Sequence, residues 1–137
     1  MGPVKRKVLV IDDQEGIGTL FKQNLPQMGS YEVQACKSGK DGIILAKHFK
    51  PDIIFLDVVM PGMGGPDIVE ILQEDPETAS IPIIFITGLV QEYDLRPGSH
   101  QIGGREFLPK PFQLSQVVKT IERALSTKKN QFDSPSE

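Results

Sequence analysis

Five residues in this chain have the types and the spacing to do chemistry together: Asp12, Asp13, Asp57, Thr87 and Lys110. Three carboxylates sharing one pocket repel one another, so each resists ionising unless a cation is present. A hard divalent ion removes that conflict, and ligation by carboxylate, carbonyl and water suits Mg²⁺, with Mn²⁺ as an alternative. One carboxylate can then act as a nucleophile towards a phosphoryl group. A hydroxyl and an ammonium nearby would stabilise the equatorial oxygens of the transferring group, and Thr87 and Lys110 supply those two functions. Taken singly, each residue has a blander reading. Asp12-Asp13 resembles a helix cap, Asp57 a turn residue, Thr87 a capping hydroxyl and Lys110 an exposed lysine. The chemistry depends on their meeting.

The elements that would bring them together are short apolar runs alternating with amphipathic stretches. Lys7-Val-Leu-Val-Ile11 reads as a buried strand stopped by Asp12 and Asp13. A helix follows from about Gln14, with Ile17, Leu20, Phe21 and Leu25 on one stripe, and Pro26 ends or kinks it near Asn24. Tyr31 to Ala35 is a second strand, after which Ser38 can cap a helix running to about Phe49. Asp52 to Asp57 is nearly all apolar and therefore a central strand with Asp57 at its end. After a loop at Gly62 to Gly65, the positions Ile68, Ile71 and Leu72 mark a helix. Ile81 to Thr87 is a fourth strand, Arg105 to Leu108 a weaker fifth, and Leu114, Val117, Val118, Ile121 and Leu125 form a final helix. Between Leu89 and Gly104, Pro97-Gly98 and Gly103-Gly104 predict a helix that is at most short or irregular. Five strands alternating with helices imply a doubly wound α/β fold, a five-stranded parallel sheet with helices on both faces. Ligands in such sheets bind beyond the carboxyl ends of the strands. Those are the ends that carry the five residues.

Composition agrees with a single domain. The chain has 137 residues, 39% hydrophobic and 24% charged, which suits a soluble globular protein. No apolar run approaches the roughly 20 residues of a membrane span, so no membrane role is expected. A formal net charge of −3 argues against direct nucleic-acid binding by this domain. The single cysteine, Cys36, reads as a small buried hydrophobe and suggests a reducing, cytoplasmic setting; His48 and His100 are isolated. Residues 1–126 form the expected domain, and 127–137 read as a polar tail or severed linker.

Five segments in order resemble the response-regulator receiver family: Val8-Leu-Val-Ile-Asp-Asp13, Pro51-Asp-Ile-Ile-Phe-Leu-Asp57, Met60-Pro-Gly62 with Gly65, Ile81-Pro-Ile-Ile-Phe-Ile-Thr-Gly88, and Phe107-Leu-Pro-Lys-Pro-Phe112. The resemblance spans roughly residues 5 to 126. It implies a chemotaxis-regulator-like fold with the flavodoxin-like strand order 2-1-3-4-5. By the same resemblance Asp57 is the phosphoacceptor, Asp13, Asp57 and the Val59 carbonyl bind Mg²⁺ directly, and Asp12 binds through water. Thr87 and Lys110 would contact the phosphoryl oxygens, and Thr87 with Phe107 would form the switch. Gly64 departs from the acidic or amide residue common there. Val59 and Leu89 stand where members vary to tune dephosphorylation, and neither can position water by hydrogen bonding.

The function this implies is a phosphorylation-controlled switch rather than an enzyme with its own substrate. The partners implied are a histidine kinase or a histidine phosphotransfer domain, and a downstream protein target or an output domain that is separate or missing. Two other readings compete. One is a receiver-fold interaction scaffold that does not use phosphate. The other is an aspartyl-nucleophile phosphatase, for which Asp12-Asp13-Gln14 lacks the Asp-x-Asp spacing on the first strand. An FMN carrier of similar fold would need a Ser/Thr-rich phosphate loop where the acids stand.

Overall fold

The computed structural model describes residues 4–88, 101–102 and 105–133, with side chains over 4–88 and 105–126. The elements run β1 (Arg6–Ile11), α1 (Ile17–Asn24), a 3-10 turn (Leu25–Met28), β2 (Tyr31–Cys36), α2 (Gly39–Phe49), β3 (Ile53–Asp57), α3 (Gly65–Glu74), β4 (Ile83–Thr87), β5 (Gln101–Ile102), β6 (Arg105–Pro109) and α4 (Leu114–Asp133). The sheet order is β2-β1-β3-β4-β6-β5. The first five of these are parallel and give the expected 2-1-3-4-5 order, with β6 as the fifth parallel strand. The two-residue β5 adds an antiparallel edge against β6. Sequence periodicity does not reveal a strand that short. The helix expected between Thr87 and the fifth parallel strand lies outside the described residues.

Local chemistry accounts for most boundaries. Pro26 falls inside the 3-10 turn, so α1 stops at Asn24. Ser38 caps α2 by accepting from the Asp41 N–H at 3.2 Å, and Lys47 and His48 occupy its last turn, where cations suit the macrodipole. Pro82 has no N–H to give the ladder, and β4 begins at Ile83 rather than Ile81. The final helix continues through Asp133, into the stretch read from sequence as a tail from Thr127. No proline or glycine interrupts the chain there before Pro135.

The central strands alternate between two cores. Val8, Val10, Ile53, Phe55, Ile84, Ile86 and Leu108 meet Phe21 and Leu25 from the α1 side and Val117 and Ile121 from α4. Leu9, Ile11, Ile54, Leu56, Ile83, Phe85 and Phe107 meet Ala46 of α2 and Ile68 and Leu72 of α3. Burial on both faces explains why these strands read as unbroken apolar runs. Ile71 departs from the expected stripe. It is 38% exposed, because Ile68 and Leu72 already carry the inward face of α3.

At its start, α3 comes unusually close to the end of β3. A Cβ placed on Gly65 would lie 2.8 Å from the Asp57 carbonyl oxygen and 3.0 Å from Val58 Cα and Phe85 Cε1. The Gly65 N–H donates to the Val58 carbonyl at 2.9 Å. Gly65→Ala should therefore cost about 1–3 kcal/mol in urea denaturation, since the Asp57–Val58 backbone and the buried Phe85 ring leave little room to yield. A stability within about 0.5 kcal/mol of the parent would show that the approach is not limiting.

Candidate functional site

The strand alternation delivers the charged residues to one place. Asp12 continues the phase of Val8 and Val10, Asp57 that of Ile53 and Phe55, and Lys110 that of Leu108. Asp12 is buried, Asp57 is buried at 7% exposure, and Asp13 turns outward. Carboxylate oxygens of Asp12, Asp13 and Asp57 all lie within 4.8 Å of one another. The Lys110 ammonium reaches in from the far side of β4, 2.8 Å from Asp12 Oδ2 and 3.7 Å from Asp57 Oδ2.

Backbone contacts fix these positions. The Asp12 N–H donates to the Cys36 carbonyl at 3.1 Å, which anchors the end of β1 to β2. The Lys110 N–H donates to the Thr87 carbonyl at 2.8 Å, tying the lysine to the end of β4. The Val59 N–H points back at Asp57 Oδ1 at 3.4 Å. Val59 itself is 56% exposed on the loop at the mouth of the pocket.

Thr87 and Phe107 belong to the other face. β4 and β6 pair Phe85 with Phe107 and Thr87 with Pro109, so Thr87 and Phe107 sit diagonally on the α2/α3 side. Both are buried at 3%. Asp12, Asp13, Asp57, Thr87 and Lys110 thus gather at the carboxyl ends of the strands, with Thr87 on the opposite face from Asp12, Asp57 and Lys110, and Phe107 lies one pair further back along β6.

Gln14 was not foreseen as part of this site. Its N–H donates to Asp12 Oδ1 at 2.8 Å, and its side-chain oxygen accepts from Lys110 Nζ at 2.8 Å. The two residues are far apart in sequence, and only its place beside Asp12-Asp13 hinted at a role. Cys36 stays outside the chemistry: it is half-buried, and burial pushes its thiol up to about 11, which leaves it protonated and inert. His48 is exposed on α2, and His100 lies outside the described residues.

The donor set fits a hard divalent cation. Three carboxylates face one ammonium, and Asp12 Oδ2 is buried without a hydrogen bond of good geometry, despite the ammonium 2.8 Å away. Burial, and after it repulsion from Asp12, pushes the Asp57 carboxyl up to about 6; Lys110 and the Val59 N–H oppose that rise. An oxygen-rich pocket short of positive charge matches the ligand preference of Mg²⁺ or Mn²⁺.

Comparison with known proteins agrees on the family. The family model described as response regulator receiver domain matches residues 8–122. The chain is 35% identical over 120 residues to protein PilH of Pseudomonas aeruginosa, covering 88% of this chain and 98% of that protein. It is 34% identical to the DNA-binding dual master transcriptional regulator RpaA of Synechocystis, over 87% of this chain but 48% of that protein. It thus spans nearly all of the first relative and about half of the second. Among solved structures, chemotaxis protein CheY4 of Vibrio cholerae superposes with a TM-score of 0.74 at 28% identity, covering 88% of this chain and 98% of that one.

The crowding of carboxylates has a measurable pH signature. A folded-state value near 6, above the ordinary 3.8, means the folded protein holds the Asp57 proton more tightly than the unfolded chain does. Stability from this group is therefore full below about pH 4 and is lost as pH rises through about 6, at a cost on the order of 1–3 kcal/mol. Asp57→Asn should match the parent in stability near pH 4 and exceed it above pH 6 in metal-free buffer. Urea denaturation across that range checks it, and Mg²⁺ should narrow the gap at neutral pH. A stability difference that does not change with pH would contradict the assignment of strain to Asp57.

Proposed function

The chain belongs to the response regulator receiver domain family, and from that premise we propose that it accepts a phosphoryl group from a phosphohistidine onto Asp57. As a receiver domain of two-component signalling it works as a phosphorylation-controlled switch rather than as an enzyme turning over a substrate. The observation that carries the residue-level reading is the Lys110 ammonium standing among three carboxylates that lie within 4.8 Å of one another. An acidic cluster alone can hold a cation. An acidic cluster with a fixed ammonium can also receive a phosphoryl group.

In this reading a carboxylate oxygen of Asp57 attacks the phosphorus as the bond from phosphorus to the imidazole nitrogen breaks, and the imidazole leaves with that electron pair. Asp13, Asp57 and the Val59 carbonyl would hold Mg²⁺ or Mn²⁺, with Asp12 acting through water, and the ion would supply positive charge for the carboxylates and phosphoryl oxygens. Lys110 contributes its ammonium to one phosphoryl oxygen and Thr87 its hydroxyl to another. Their strand-end backbones, linked at 2.8 Å, hold the two at a fixed spacing. The donor is a histidine kinase or a histidine phosphotransfer domain in the cytoplasm.

The signal leaves through Thr87. Drawn towards the new charge, it vacates space on the α2/α3 side of the sheet, where Phe107 is its diagonal neighbour. Repacking of Phe107 then alters the outer surface near β6, which a downstream protein or a separate output domain reads. The domain assignment proposed for this role is 1–126, with 127–137 as a polar tail or severed linker whose first part extends α4.

Two measurements test these roles. Asp57→Ala should abolish incorporation of phosphate from acetyl phosphate while the variant remains folded; incorporation at the parent's stoichiometry would refute Asp57 as acceptor. For the metal, Asp13→Ala should weaken Mg²⁺ binding more than Asp12→Ala, because losing a direct ligand costs more than losing a water-mediated one. Calorimetric titration of both variants gives the order, and equal affinities would remove the distinction.

A further inference from the structure

Gln14 links the two halves of the pocket without being one of its charges. Its N–H holds Asp12 Oδ1 at 2.8 Å, and its side-chain oxygen holds Lys110 Nζ at 2.8 Å. Nζ in turn stands 2.8 Å from Asp12 Oδ2, which closes a ring of Asp12, Gln14 and Lys110. From Asp57 Oδ2 the same ammonium is 3.7 Å away, beyond hydrogen-bond reach. Charge alone would let Asp57 compete with Asp12 on equal terms for Lys110. A neutral acceptor 2.8 Å from Nζ breaks that tie.

Resting on Asp57 as the phosphoacceptor, we propose that Gln14 is a positioning residue that holds the Lys110 ammonium back from Asp57, so that its hydrogen bond to Lys110 must open before Lys110 reaches the phosphoryl oxygens. A phosphoryl group brings extra negative charge to Asp57, and the ammonium must give up one existing partner to meet it. The ion pair with buried Asp12 is charged on both sides, whereas Gln14 is a neutral, exposed acceptor, so the Gln14 bond is the weaker of the two. The released carboxamide has somewhere to go. Gln14 lines a cleft of about 450 Å³ together with Ile17, Leu20, Gly88, Lys110, Pro111 and Phe112. Gln14 therefore sets how readily the phosphorylated state is reached, and it does so only through Lys110.

Beryllofluoride binding with saturating Mg²⁺, followed by ¹⁹F NMR or calorimetry, measures this directly. Gln14→Met keeps the chain length and removes the acceptor, so beryllofluoride should bind about two- to tenfold more tightly than to the parent, the value of one hydrogen bond. Gln14→Glu offers the ammonium a charged acceptor and should bind more weakly than the parent. Opposite signs from two substitutions at one exposed position are not what a merely structural residue would give. In a Lys110→Met background the Gln14→Met gain should vanish. Unchanged or weaker binding by Gln14→Met, or a gain of the same size without Lys110, would overturn the proposal. If the parent itself bound no beryllofluoride with Mg²⁺, the phosphoacceptor reading would fail and this inference with it. Binding by the parent that ignores both Gln14 substitutions would sink the inference alone.

Discussion

The constraint on which this structure depends is an unbalanced charge held at the edge of a dry sheet. Asp12 and Asp57 are buried, Asp13 closes the group from the solvent side, and the cation found among them in the described residues is the ammonium of Lys110. A carboxylate removed from water destabilises the fold unless it is paired, and three carboxylates cannot all be paired by one lysine. The proton affinity of Asp57 registers the shortfall. Conflict of this kind is expected where a site is built for a ligand that completes it, and the packing elsewhere must be good enough to hold it.

That support comes from two cores on opposite faces of one sheet. Strands buried on both sides cannot shift easily, so the residues at their carboxyl ends inherit fixed positions. Glycine at position 65 lets α3 start against the Asp57 backbone, and the bond between the Lys110 N–H and the Thr87 carbonyl ties β6 to β4 where both enter the site. The faces also divide the labour. Asp12, Asp57 and Lys110 are in phase with the α1/α4 face, while Thr87 and Phe107 belong to the α2/α3 face. In the proposed switch, a change at Asp57 would reach Phe107 by crossing the sheet through the end of β4.

The same geometry weighs on the competing readings. A phosphatase with an aspartyl nucleophile on its first strand would put its reacting carboxylate at the end of β1, but there Asp12 is buried against Lys110 and Gln14. Asp57, by contrast, ends β3 next to a loop in which Val59, Pro61 and Gly62 are exposed. An interaction scaffold with no use for phosphate would have no need to keep three carboxylates in mutual repulsion. The raised proton affinity of Asp57 marks a cost to stability, and a fold that did not use the pocket would be relieved of it by a neutral residue at that position.

Local patterns in the chain carried the strands, the helices and the identity of the charged set. Apolar runs that end in Asp12, Asp57 and Thr87, a cap at Ser38 and a break at Pro26 are all interactions between near neighbours, so their signal lies within a few residues. The sequence by itself therefore determined the sheet, its parallel order through the family resemblance, and which charged residues meet at the strand ends. It could not determine that Ile71 would be exposed, that α4 would run on to Asp133 or that Gln101–Ile102 would pair with β6. Nor could it show Lys110 bound to Asp12 and Gln14 and standing away from Asp57, or how far burial and the neighbouring Asp12 raise the proton affinity of Asp57. Those outcomes were decided by tertiary structure. Coulombic forces and desolvation depend on distance in space, and residues separated by most of the chain acquire a distance only when the sheet has closed.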